Sequence, residues 1–100
     1  MKTDYQIRKM QAQITMGRFT ILNMRTIARI VELCNGYWSD IRIVCNGITA
    51  NCKSIMDIAL LNIPLGATIT VIAEGIDAFC AIRSIRSFFR HFMETEKRFA

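Results

Sequence analysis

Two short stretches carry residue types that can bind or receive an anion. Ser54 offers a hydroxyl at the start of an apolar segment, with Lys53 before it and Asp57 three residues after. Serine followed at the third position by a carboxylate is a helix N-terminus signature, because the side chains take up backbone N–H groups that the first turn leaves unpaired. A phosphate ester on that hydroxyl would place about two negative charges at the positive end of a helix, with Lys53 alongside. Asn23 and Arg25 open an earlier helix. A guanidinium there can hold a carboxylate or phosphate, but an amide is neither basic nor nucleophilic, so Asn23 can cap the helix and cannot carry a transferred group. His91 is the only histidine. It reads as an ordinary residue near the end of the last helix, favoured by the C-terminal dipole.

Asn46-Gly47 supplies the two positive-φ positions of a two-residue hairpin turn. It pairs Cys45 with Ile48, Ile43 with Ala50 and Ile41 with Cys52, and the strand period of two puts those six side chains on one face. Before the hairpin, Ile14 and Met16 alternate with polar neighbours as in a half-buried strand, and Gly17-Arg18-Phe19-Thr20 connects it onward. Asn23 then caps a helix with Ile27, Ile30, Val31 and Cys34 on its inner face, ended by Asn35-Gly36. After the short Ser54 helix, which Pro64 and Gly66 stop, Ile69 and Val71 alternate with threonines in a last strand. Asp77 caps a final helix whose buried stripe is Ala81, Ile82, Ile85, Phe88, Phe89 and Phe92. The order strand, helix, strand, strand, helix, strand, helix gives an α+β fold with helices on one face of an antiparallel sheet.

One hundred residues make one domain. Charges interrupt the apolar residues throughout, no run approaches the ~20 of a membrane span, and Lys2, Asp4, Arg8 and Lys9 leave no signal-peptide core. A cytoplasmic location is expected. Cysteines 34, 45, 52 and 80 form no C-x-x-C pair and fall at expected core positions, so they read as buried, reduced thiols, with no metal site and no cofactor. The net charge of +5 is spread, apart from Arg83, Arg86 and Arg90 on one stripe and Lys97-Arg98 after it. Direct nucleic-acid binding is not expected, and an acidic protein partner explains the excess at least as well.

Cys45-Asn46-Gly47, Lys53-Ser54-Ile55-Met56 and Ala73-Glu74-Gly75, in this order of elements, resemble HPr, the phosphocarrier family of the bacterial sugar phosphotransferase system. The resemblance runs from about Gln11 to Phe88. It implies an open-faced β-sandwich, a four-stranded antiparallel sheet with three helices (βαββαβα), occupying residues 11 to 93 between an N-terminal extension, 1 to 10, and a tail, 94 to 100. The family's carrier motif, Gly-Leu-His-x-Arg-Pro-Ala, is matched here by Ile21-Leu22-Asn23-Met24-Arg25-Thr26-Ile27. The phosphorylated histidine is Asn23, so phosphocarrier activity is expected to be absent and no catalytic residue is assigned.

The Ser54 position is a regulatory phosphorylation site in many members, and Met24 with the patch of Ile55, Met56 and Ala59 corresponds to the family's docking surface. The chain thus resembles the catabolite-repression branch that lacks the active histidine. The expectation is a non-enzymatic regulatory or adaptor protein that binds through Met24, Arg25, Lys53, Ile55, Met56 and Ala59 and is controlled at Ser54. Its partners would be a kinase or a transcriptional regulator of the catabolite-control type. The alternatives are a phosphocarrier using another acceptor and a structural or domain-swapped dimer module, suggested by Val44 and Ile72 on the outer face of the sheet.

Overall fold

The computed structural model describes residues 8 to 17 and 22 to 98, with side chains as far as residue 94. The expected connection at 18 to 20, Ile21 of the matched motif, residues 1 to 7 of the extension and the Lys97-Arg98 side chains lie outside the described residues. The order is β1 (Arg8–Thr15), α1 (Met24–Asn35), β2 (Asp40–Cys45), β3 (Ile48–Asn51), α2 (Ile55–Leu61), β4 (Thr68–Gly75) and α3 (Ala78–Arg98). β1 begins at Arg8, so three residues assigned to the extension pair with β4 instead.

The four strands form one antiparallel sheet in the order β1-β4-β2-β3. Ile43 pairs with Ala50 and Cys45 with Ile48, the register that the Asn46-Gly47 turn dictates, and Asn46 and Gly47 take φ of 52° and 79°. Cys52 N–H donates to the Ile41 carbonyl at 2.8 Å, which continues that register past the end of β3. Central β4 lays Ile69, Val71 and Ala73 beside Ile14 of β1 and Ile41 and Ile43 of β2, and all are buried beneath the helices. Val44 and Ile72 stay half-buried on the open face, where Arg42 lies 3.5 Å from both Asp40 and Glu74.

Several inward assignments change. Ile48 is 58% exposed because it stands at the tip of the edge hairpin, beyond the helical layer. Cys34, Cys45 and Cys52 are buried, but Cys80 is exposed: the inner stripe of α3 runs through Ala78, Ala81, Ile82, Ile85 and Phe89, and residue 80 points away from it. Phe88 and Phe92 flank that stripe half-buried, with rings stacked at 6.2 Å. Gly36 does end α1, yet with φ −79°, in the right-handed region. The Cys52 thiol hydrogen-bonds the Cys34 sulfur; that bond and burial push the Cys52 thiol well above the usual thiol value, so it stays neutral.

Asp77 precedes α3 as expected, and its main-chain carbonyl accepts from Ala81 N–H at 2.9 Å. Its carboxylate, however, turns away to the segment between α1 and β2. One oxygen accepts from Trp38 N–H at 2.8 Å, the other from Ser39 N–H at 2.9 Å and the Ser39 hydroxyl at 2.5 Å. Desolvation alone would raise this carboxyl; the bonds from the Ser39 hydroxyl and from the Trp38 and Ser39 amides outweigh it and hold it below its ordinary value.

Ser39 is fully buried, so Asp77→Ala is expected to cost about 1–3 kcal/mol by leaving its donors unpaired. A carboxylate depressed in the folded state contributes fully above its unfolded pKa, about 3.9, and loses that contribution as pH falls through the lower folded value. Urea midpoints should therefore separate wild type from Asp77→Ala at neutral pH, and the gap should begin to narrow only below about pH 4. A gap that persists undiminished well into acid would contradict this role.

Candidate functional site

Asn23, extended at φ −96° and ψ 174°, turns its side chain onto the first turn of α1. Its Oδ1 accepts from Thr26 N–H at 2.9 Å and from the Thr26 hydroxyl at 3.0 Å. The amide oxygen is thus engaged as a cap, and the position offers no nucleophile. Met24 and Arg25 follow on the first turn, both exposed, Met24 at 57%. The start of α1 can bind an anion through Arg25 but cannot carry one covalently at residue 23.

α2 starts as the sequence indicates, with Ser54 Oγ accepting from Asp57 N–H at 3.2 Å. The Asp57 carboxylate accepts from Asn51 N–H at 3.2 Å, so it secures the end of β3 rather than closing a reciprocal box with Ser54. Lys53 also differs from expectation. Its ammonium donates to the Tyr37 carbonyl at 2.8 Å, which commits the charge to tying α2 to the end of α1 instead of leaving it beside the Ser54 hydroxyl.

That tie links the segment before α2 to the residue that follows α1. Tyr37 lies just past the C-terminus of α1, and Asn23 and Arg25 stand at its N-terminus; twelve residues at ~1.5 Å rise separate the two ends by about 18 Å. The Lys53 side chain thus reaches the end of α1 opposite to that held by Asn23 and Arg25.

α2 packs against α1 and β3 and buries Ile58 and Leu61, while Ile55 and Met56 face outward at 39% and 66% exposure. Ala59 is half-buried against the core, so its share in the outward patch is small. Leu60 also stands outward, 75% exposed. It follows Met56 by four residues, the spacing that puts two side chains on one helix face.

α3 adds a wall that sequence distance concealed. A cleft of about 320 Å³ lies between α1 and α3, lined on one side by Asn23, Arg25, Thr26 and Arg29 and on the other by Phe88, His91 and Phe92. His91 is not at the end of α3, which continues to Arg98. Among the described residues no group of three histidine, cysteine or acidic side chains is placed to hold a metal ion, and no helix is long and apolar enough to cross a membrane.

Comparison with known proteins gives a consistent picture. Residues 10–91 match the family model described as "PTS HPr component phosphorylation site". The HPr-like protein Crh of Halalkalibacterium halodurans is 36% identical over 78 residues, 78% of this chain and 93% of that protein. The phosphocarrier protein HPr of Buchnera aphidicola is 33% identical over 67 residues, 67% of this chain and 79% of that protein. The crystal structure of a phosphocarrier protein HPr from Bacillus anthracis superposes with a TM-score of 0.75 at 33% identity, covering 81% of this chain and 96% of that one.

Proposed function

The chain belongs to the HPr family, and on that footing we propose that it works as a cytoplasmic regulatory adaptor that docks protein partners through the outward faces of α1 and α2. The observation that carries this reading is the set of exposed apolar side chains, Met24, Ile55, Met56 and Leu60, on two adjoining helices whose opposite faces are fully packed. Folding leaves such side chains in water at a cost, and unbranched methionine adapts to a partner's contour. Arg25 gives the surface a charged end for a carboxylate or phosphate on the partner. Asn23, spent on its cap, contributes stability only, and the protein is not an enzyme.

Ser54 is the proposed point of regulation. A phosphate there would stand at the start of α2 and beside Asp57, whose charge it would repel, so modification alters the docking face without entering the core. The partners that suit such a surface are a protein kinase acting on Ser54 and a transcriptional regulator of the catabolite-control type.

The test is capture of partners from extracts of the source cells by immobilised variants. Met56→Asp should weaken capture by roughly 30-fold, the effect of losing one central contact of about 2 kcal/mol and burying a charge. Asn23→Ala should bind like wild type while losing about 1 kcal/mol of stability with the cap. Capture that fails with Asn23→Ala and survives Met56→Asp would refute the reading.

A further inference from the structure

Trp38, the chain's only tryptophan, stands between α1 and β2 with 85% of its surface in water. Its main chain is nevertheless pinned, because one Asp77 oxygen takes the Trp38 N–H and the other takes the Ser39 N–H and hydroxyl. Asp77 follows Ile76 and precedes Phe79 by two residues, and both of those side chains are more than half exposed. One carboxylate thus holds side by side two remote segments that carry three large apolar side chains in water. Exposed apolar side chains grouped in this way mark a contact surface.

Phe79 also begins a line of charge. Arg83, Arg86 and Arg90 follow it at spacings of four, three and four residues, all exposed, on the side of α3 away from the buried Ala81, Ile82, Ile85 and Phe89. The Arg83 guanidinium lies 5.8 Å from the centre of the Phe79 ring, so the charged line and the apolar group are continuous. From Ala78 to Met93 the helix carries no acidic residue. Three arginines alone would be an ordinary solvated face, but tryptophan beside arginine is the pairing that dominates protein interfaces. Arg83 to Arg90 spans about 10 Å, two turns, a rise that carboxylates repeated every three or four residues on a second helix would match. A continuous sheet of phosphates fits less well, since it would also meet Asp40 and Glu74, both partly exposed at the β2–β4 pair next to this segment.

We propose that Trp38, Ile76 and Phe79, with the arginine line of α3, form a second docking surface, and that its occupant is an acidic amphipathic helix of a protein partner. The apolar face of that helix covers the three exposed side chains, and its carboxylates meet Arg83, Arg86 and Arg90. This surface is additional to the one on α1 and α2 and uses none of the same residues.

Selection of a displayed library of random helical peptides on the full-length protein tests this without presupposing a sequence. Recovered peptides should carry Asp or Glu at three- and four-residue spacing together with aliphatic or aromatic residues, and their binding should move the emission of Trp38 to the blue. Measured by calorimetry, Trp38→Ala should weaken the best of them about thirtyfold, the size of a central interface contact, and Arg83→Ala combined with Arg86→Ala about tenfold. All three positions are exposed, and unchanged melting curves for the variants confirm that folding is not the cause. The proposal is overturned if no peptide is recovered, if the recovered peptides are neutral or basic, or if their binding ignores these substitutions. Tighter binding to phosphatidylglycerol vesicles or to a DNA duplex than to any recovered peptide would overturn it too. Each of these results leaves the Met56-dependent docking standing, since that reading names no residue of α3.

Discussion

Phe89→Ala is expected to be the most damaging single substitution in the described core, costing about 3–5 kcal/mol. Phe89 is the largest of the fully buried side chains, 1% exposed, on the α3 stripe that faces the sheet. Removing its ring takes away apolar transfer energy and leaves a cavity that a close-packed core cannot fully collapse to fill. In a chain of 100 residues each kcal/mol shifts the melting temperature by roughly 4–8 °C, so calorimetry should show a drop of about 12–40 °C. Cys80→Ala, on the outward side of the same helix, should leave the transition within a degree or two of wild type, about the ±0.5 kcal/mol of a surface change. Similar losses for both variants would mean that the stripe is misassigned.

Gly75→Ala is the second. A Cβ at residue 75 would lie 2.6 Å from both Cα and Oγ of Ser39. Backbone cannot yield as a flexible side-chain tip can, so the end of β4 must separate from the segment before β2. That separation also strains the Asp77 bonds to Trp38 and Ser39. The expected loss is about 3 kcal/mol. Because Gly75→Ala and Asp77→Ala damage the same contact, the double variant should lose distinctly less than the sum of the two. Strict additivity in urea denaturation would show that the close approach and the carboxylate act independently.

The pattern of agreement between sequence and structure follows from the range of the forces involved. The hairpin register, both N-caps and the α1 stripe were legible because each is fixed within a few residues: Asn46-Gly47 sets the pairing, and Asn23 and Ser54 each bond the amide three residues ahead. Local signals also explain one omission. Asn62, at φ 52°, ends α2 in the left-handed conformation that asparagine tolerates, ahead of the Pro64 and Gly66 at which the sequence alone predicts the stop.

What local patterns could not show are side chains whose partners are remote in sequence. The Asp77 carboxylate satisfies Trp38 and Ser39 rather than its own helix, the Lys53 ammonium meets the Tyr37 carbonyl, and α3 brings His91 to the cleft that Arg25 lines. Exposure at the ends of elements escapes local patterns for the same reason. Ile48 obeys the strand period yet lies outside the helical cover, which only the sheet order reveals.

The central claim is that this chain keeps the family's scaffold and, as proposed, its docking face, while Asn23 stands at the position of the family's carrier imidazole. Restoring that ring tests it most directly. Asn23→His combined with His91→Asn leaves residue 23 as the sole histidine, at a cost of about 1 kcal/mol from the weaker cap. Incubated with phosphoenolpyruvate and the general phosphotransferase enzyme, this variant should acquire one acid-labile phosphoryl group, located at residue 23 by fragmentation mass spectrometry, and adding Met56→Asp should abolish it. A folded Asn23→His variant that takes up no phosphate, or one that takes it up equally well with Met56→Asp, would contradict the account.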